Sequence, residues 1–368
     1  MENSTASGHY VDVQGLVKLF GSERAVDGVS FGVPKGKFLT LLGPSGCGKT
    51  TTLMSIAGLH AIDAGQISVG GMVYTAPAKG LFLPPEKRDI GMVFQSYAIW
   101  PHMTAAQNVA YPLEIRKVPR DEIGARVADV LKLVGLTRMA DKLATQLSGG
   151  QQQRAALARA IVSRPRLLLF DEPLSNLDLK LREQMRLELK RIQHEVGITS
   201  IYVTHDQAEA LVMSDEIIVM SKGRIQQRGG PREIYASPAN AYVSNFIGAA
   251  NLLKGRVLSV TAPGRGQVEI GGPRKVQLAC KLSAGMAAGA EAVISVRPEN
   301  VAATRQNGGA PAFEGEVIQA IFLGNCVDCR VRWGEFEWKV LTHPRSALKT
   351  GDKVYLRLDP EHTLAVQP

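Results

Sequence analysis

A parallel α/β core followed by a smaller all-β barrel domain is the fold class that three features of this 368-residue chain predict. The run GPSGCGKT at 43–50 lies between an apolar stretch and a helix-forming one. A second apolar stretch, LLLFDE at 167–172, ends in two acids, as a buried parallel strand does when its C-terminal end faces a ligand. From Leu252 the pattern changes to short alternating runs separated by Gly and Pro, which suggests a small barrel.

The strand at 37–42 and the helix at 49–58 place the glycine-rich loop where a phosphate cradle needs it. Gly43, Gly46 and Gly48 let the loop turn so that successive N–H groups face a polyphosphate, and the helix N-terminus adds positive charge. Lys49 is expected to reach the β- and γ-phosphates, and the Thr50 hydroxyl to ligate Mg²⁺. The expected cradle is Gly43, Pro44, Ser45, Gly46, Cys47, Gly48, Lys49 and Thr50, with Thr51 just behind it. The loop motif alone arises by chance in roughly one per cent of chains of this length, so context carries the case. Asp171 is expected to hold Mg²⁺, directly or through water, and Glu172 to lie beside the γ-phosphate and polarise the attacking water. In LSGGQQQR at 147–154, Ser148, Gly149 and Gly150 read as a tight turn ahead of a helix at 151–163, a second place where free backbone donors meet an anion.

These three segments, in this order, resemble the ATP-binding-cassette (ABC) superfamily, and the resemblance runs from about 11 to 241. It implies a P-loop NTPase core with a parallel sheet, an antiparallel β layer and an α-helical subdomain at about 96–160. It also implies a homodimer as the catalytic unit, in which Ser148, Gly149, Gly150 and Gln151 face the γ-phosphate held by a second copy. By the same resemblance Gln95 contacts Mg²⁺ and the attacking water and links nucleotide state to a transmembrane partner. Asp178 crosses the dimer interface, or serves mainly as N-cap of the next helix. His205, between the strand at 200–204 and a capped helix start with Asp206 and Glu209, donates to the γ-phosphate. Phe20 stacks on adenine, although a Phe near a strand is normally core.

Composition agrees with a motor that carries no membrane span of its own. The length allows two domains with substantial cores, and no run of eighteen apolar residues occurs. The polar start MENSTASGH does not read as a signal peptide, so the expected location is the cytoplasmic face of the inner membrane, reached through partners. Four cysteines make no disulfide framework. Cys47 is expected to be a tolerated small residue inside the loop, with exposure to thiol reagents in the absence of nucleotide as the alternative, and the strand-like alternation around Cys326 and Cys329 argues against a zinc knuckle. The net charge of +9 raises the question of nucleic acid, but the basic residues are scattered. On the helix expected at 178–196, Lys and Arg mix with Glu around one apolar stripe of Leu181, Met185, Leu189, Ile192 and Val196, which reads as a solvated face. No nucleic-acid partner is expected.

An amphipathic helix is expected at 120–136, with Ile123, Val127, Val130, Leu131 and Val134 on one side. This stretch resembles the subdomain that ABC importers dock against a short helix of their permease. Two permease subunits are therefore expected near Tyr97, Trp100 and Met103, with ordinary core packing as the alternative for those residues. The second domain is expected at 242–368, after a linker with a short helix, and its strands at 291–297, 315–323, 327–333, 335–341 and 353–358. With RPEN at 297–300 it resembles the transport-associated OB domain of importer ATPases. Trp333, Phe336 and Trp338 read as core rather than as a base-stacking platform.

The resemblance implies the ATPase subunit of a binding-protein-dependent importer, with an extracytoplasmic solute-binding protein as indirect partner. The segment 82–104 looks closest to the polyamine and ferric-iron branch. Importers of sugar, sulfate or phosphonate remain alternatives, as does a soluble ABC ATPase of DNA repair or translation. The soluble types need a long coiled-coil insertion or a second cassette, and neither is present in the sequence.

Overall fold

The computed structural model describes residues 8–271, 275–306 and 312–368, so the first seven residues of the polar start lie outside the described ones. The chain divides into two compact units, Met1–Pro231 and Arg232–Pro368.

The first unit opens with two long antiparallel strands, β1 (Val11–Phe20) and β2 (Glu23–Val33). The fully buried β3 (Phe38–Leu42) leads through the glycine-rich loop into α1 (Lys49–Ala57). Strands β4 (Ala64–Val69), β5 (Met72–Ala76) and β6 (Leu81–Phe82) extend the antiparallel sheet in the order β2-β1-β4-β5-β6. β7 (Ile90–Val93) then enters a second sheet and is followed by three helices, α2 (Ala105–Ile115), α3 (Arg120–Leu133) and α4 (Gly149–Ile161). The chain returns as β8 (Leu167–Asp171), α5 (Leu179–Val196), β9 (Thr199–Thr204), α6 (Gln207–Met213), β10 (Glu216–Ser221) and β11 (Arg224–Gly229). The second sheet has the order β11-β10-β3-β9-β8-β7, parallel except for β11.

The near-continuous apolar runs of β3, β8 and β9 follow from burial on both faces. Side chains alternate between two cores, as the two-residue strand period requires. Phe38, Leu168, Phe170 and Tyr202 face the helical side, while Leu39, Leu41, Leu167, Leu169, Ile201 and Val203 face the antiparallel layer. The three aromatic rings of the first set pack with centroids 5.7–6.1 Å apart. The fully buried Arg88 ties α1 to the antiparallel sheet. It donates to the carbonyls of Ser55 (3.0 Å) and Ile56 (2.8 Å) at the negative end of α1, and to Leu83 O and Thr75 Oγ1, both at 2.7 Å. The predicted helices at 49–58 and 178–196 are found within a residue or so at each end, whereas α3 stops at Leu133, ahead of Gly135 at φ 68°.

The division at Pro231 falls before the expected boundary at Ala241, and the stretch read as a linker belongs to the second unit. α7 (Pro231–Ala236) and α8 (Ala241–Phe246) are held there by Arg297, whose guanidinium donates to Ser244 O (2.9 Å) and Tyr235 O (3.0 Å). The hydroxyls of Ser244 and Ser295 lie 2.6 Å apart. The strands that follow are β12 (Asn251–Ala262), β13 (Arg265–Ile270), β14 (Val276–Leu282), β15 (Glu291–Val296) and β16 (Val301–Thr304). After them come β17 (Ala312–Phe322), β18 (Val327–Trp333), β19 (Phe336–Thr342), β20 (Lys353–Leu358) and β21 (Thr363–Val366). The expected barrel is present and closed, β12-β13-β14-β21-β15, and a five-stranded sheet, β16-β20-β17-β18-β19, adds to it. They share one apolar core, in which Trp333 and Trp338 pack against Phe313 with centroids 4.8 and 5.5 Å away. Cys329 is buried on β18 and Cys326 lies half-buried in the turn before it.

Candidate nucleotide site

The loop between β3 and α1 is shaped by contacts that only glycine permits. Gly48 caps α1 at φ 99°, and a Cβ there would strike the carbonyl oxygen of Ala25. Gly43 has no room either, because a Cβ would meet Met220 O and lie 2.5 Å from Cys47 Sγ. Pro44, Ser45 and Gly46 form the exposed crest, and Thr50 and Thr51 open the helix. Lys49 is only 4% exposed and curls back under the loop, its ammonium donating to the carbonyls of Gly43 (2.8 Å) and Pro44 (2.9 Å). A cation is thus fixed under a glycine-rich loop at a helix N-terminus, an arrangement suited to a polyphosphate. Cys47 is a small residue packed inside the loop, and the alternative of an open thiol does not hold. It is buried, and burial raises its pKa despite the nearby Lys49, so its thiol is not the open nucleophile that its loop position suggested.

β8 ends beside this loop. Asp171 Oδ1 accepts from Thr50 Oγ1 at 3.0 Å, and burial pushes its pKa up, with the hydroxyl and Lys49 opposing. Thr50 and Asp171 offer two hard oxygen donors. Among the described residues no group of three or more His, Cys, Asp or Glu could cage an ion. Such a sparse oxygen set suits Mg²⁺, which fills its octahedron with water and phosphate oxygens. Glu172 has φ 44°, an unusual value for a side chain of this size, and its N–H donates to Val203 O (3.1 Å). That backbone twist carries the carboxylate to the end of the neighbouring strand β9, where Glu172 Oε2 lies 2.9 Å from His205 Nδ1.

Ser148 is the N-cap of α4 and forms a reciprocal capping box with Gln151, at 3.0 and 3.4 Å. Gly149 and Gly150 belong to the first helical turn rather than to a separate tight turn, because the cap supplies the partners that a turn would have supplied. Leu181 side-chain atoms would lie 3.1 Å from a Cβ at Gly150. Asp178 is exposed and N-caps α5, accepting from Leu181 N at 3.0 Å. Gln95, just past β7, exposes its side chain and receives the Asn176 amide on its carbonyl at 2.9 Å. Phe20 is 49% exposed at the end of β1, in edge contact with His60, and so is not the core residue that its strand setting allows. Asp206 caps α6 as expected, but Glu209 does not complete a capping box. Its buried carboxylate accepts from Tyr202 Oη (2.8 Å) and Thr204 Oγ1 (2.6 Å) instead, underpinning the His205 turn.

Sequence reasoning passed over Asn176 and Arg182. Arg182 donates to Leu177 O (3.1 Å) and pairs with Asp206 at 3.6 Å, joining the turns after β8 and β9. Its place one helical turn past the Asp178 cap was the available signal. The expected docking residues divide. Trp100 lines a groove of about 430 Å³ with Tyr111, Ile115, Met92 and Phe94. Tyr97 is 7% exposed and sits in the core, and neither it nor Met103 is among the groove's lining residues. For Tyr97 the alternative of core packing holds, and the turn there is left-handed at both Tyr97 and Ala98.

A parallel sheet with a phosphate cradle at its C-terminal edge, an oxygen pair for a cation and a carboxylate–imidazole pair alongside define a P-loop ATPase. Comparisons with known proteins narrow this further. Residues 26–175 match the profile of the ABC transporter family and residues 294–366 that of the TOBE domain. The spermidine/putrescine import ATP-binding protein of Thermobifida fusca is 45% identical over 92% of this chain and 88% of that protein. Its counterpart in Rubrobacter xylanophilus is 42% identical over 96% and 93%. The trehalose/maltose import ATP-binding protein of Thermococcus litoralis is 56% identical over 63% of this chain and 62% of that protein. Among solved structures, cbiO1 from Clostridium perfringens, part of an ABC transporter complex, superposes with a TM-score of 0.57 at 30% identity, covering 62% of this chain and 92% of that one. The chain belongs to the ABC transporter family, among the ATP-binding, ATP-hydrolysing subunits of importers, which work with membrane permease components. Among the described residues no helix is long and apolar enough to cross a membrane.

Proposed function

We propose that two copies of this chain close on two MgATP at the cytoplasmic face of the inner membrane and so drive uptake of a polyamine through a permease pair. The Glu172–His205 contact, 2.9 Å long and beside the Thr50–Asp171 pair, is the observation that carries the reading. In it Lys49 and the loop N–H groups would bind the phosphates, while Thr50, Asp171 and Gln95 would hold Mg²⁺. When bound, the cation would supply charge neutralisation for phosphoryl transfer. Glu172 orients the attacking water, and His205 fixes the carboxylate and donates toward the γ-phosphate. Ser148, Gly149, Gly150 and Gln151 at the positive end of α4 meet the γ-phosphate of the other copy, with Asp178 beside that interface. Phe20 stacks on the adenine.

The groove beside Trp100 receives a cytoplasmic segment of the permease, and an extracytoplasmic binding protein delivers the solute. A polyamine is favoured because relatives named for spermidine and putrescine match nearly the whole chain, whereas the trehalose/maltose relative matches less than two thirds of it. Uptake of labelled spermidine and labelled trehalose by cells lacking the gene, with and without the wild-type or Glu172→Gln chain, tests this. The expected result is spermidine uptake restored by the wild type alone. Restoration of trehalose uptake instead would replace the solute, and restoration by the variant would overturn the mechanism.

A further inference from the structure

We infer that Arg159 is a positioning residue that fastens the turn leaving Gln95 to the helix that begins at Ser148, so that the two move as one body. The inference rests on the nucleotide reading of Ser148 and Gln95 above and adds a physical link between them.

Arg159 lies in the last turn of α4. At about 1.5 Å per residue it is roughly 16 Å from Ser148 along a continuous helix. Its guanidinium donates to Ala98 O (2.6 Å) and Tyr97 O (2.8 Å) and lies 4.7 Å from the centroid of the Trp100 ring. Trp100 packs in turn on Tyr111 at 4.3 Å. Tyr97 and Ala98 are consecutive non-glycine residues in the left-handed region, at φ 61° and 46°. That conformation is unfavourable for L residues, and the buried Tyr97 hydroxyl has no hydrogen-bond partner among the described residues. The turn is therefore held from outside. Asn108 on α2 pins Trp100 through N–H and carbonyl bonds of 2.9 and 3.1 Å, and Arg159 pins the two strained carbonyls from α4. One planar fork can bond both carbonyls while stacking on an indole, whereas a lysine ammonium cannot do all three. Burial lowers the pKa of Arg159, in keeping with a cation committed to carbonyls and a ring face. Since Trp100, Ala98 and Arg159 all line the same groove, a displacement at the Ser148 end of α4 is delivered to the groove wall.

Hydrogen exchange of the full chain, with and without a non-hydrolysable ATP analogue and Mg²⁺, tests this on peptides covering 43–50 and 97–103. In the wild type the analogue should slow both. In Arg159→Lys the protection of 43–50 should persist, while 97–103 exchanges about tenfold faster and no longer responds to the analogue. Ala98→Gly, which relieves the strain and leaves the guanidinium in place, should keep the response. A nucleotide response at 97–103 in Arg159→Lys equal to that of the wild type would overturn the inference, as would its absence from the wild type or its loss in Ala98→Gly. Failure of the analogue to protect 43–50 in the wild type would remove the nucleotide reading itself and this inference with it.

Discussion

Glu172 and His205 meet at 2.9 Å because β8 and β9 are adjacent parallel strands whose ends coincide, Asp171 lying opposite Val203. The positive φ of Glu172 turns its side chain across that edge instead of along it. Backbone strain of this kind is kept where the surroundings demand it, and here the demand is an acceptor placed against an imidazole. The carboxylate should then matter to turnover and little to nucleotide affinity.

Glu172→Gln keeps the shape and removes the charge. Its kcat for ATP should fall by about a hundredfold or more, with KM changed by less than about threefold. Steady-state hydrolysis by the purified full chain measures both. A turnover within threefold of the wild type would show that another group orients the water.

Phe20→Ala should raise the KM for ATP roughly tenfold at constant kcat, since base stacking contributes about 1–3 kcal/mol and is shared by ground and transition states. Phe20→Tyr should preserve both constants. An unchanged KM in the alanine variant would assign adenine to another surface.

Arg88→Ala removes the donor to four acceptors, three of them carbonyls, at a fully buried position. A loss of about 3 kcal/mol or more in unfolding free energy is expected. Denaturant unfolding followed by circular dichroism reads it, and a loss below about 1 kcal/mol would mean that water replaces the guanidinium there.

The buried Glu209 gives a pH signature. Burial raises its pKa above the ordinary 4.5, against the hydroxyls of Thr204 and Tyr202, which lower it. A carboxyl with a raised native pKa contributes stability that is fully present below the unfolded value and is lost as pH rises through the native one. The stability of the wild type minus that of Glu209→Gln should therefore decline as pH is raised above 4.5. Urea midpoints across that range test the sign, and a difference that stays flat or grows would show that the buried carboxylate is no burden.

The phosphate loop, the acidic strand and the Asp178 cap were legible because their chemistry is local, with each residue type needed within a few positions of the next. What escaped was decided by distant partners. The two glycines after Ser148 have low helix propensity and suggested a turn, but the Ser148–Gln151 box outweighs that preference. For Tyr97 the sequence leaves docking surface and core both open, and the choice falls to the core through a left-handed turn whose carbonyl Arg159 holds from a distant helix. The stretch after Ala236 reads as linker only while Arg297 is unseen. Closure of the barrel by β21 against β14, Lys281 opposite Leu364, joins positions too far apart for any periodicity to reveal.

Light scattering of the Glu172→Gln chain with and without MgATP tests the central claim most directly. If two copies sandwich two nucleotides through Ser148 and the phosphate loop, saturating MgATP should bring the particle to twice the monomer mass, and Ser148→Arg should prevent this while leaving nucleotide bound. A particle that binds MgATP and stays at monomer mass, or a dimer that Ser148→Arg does not disturb, would contradict the account.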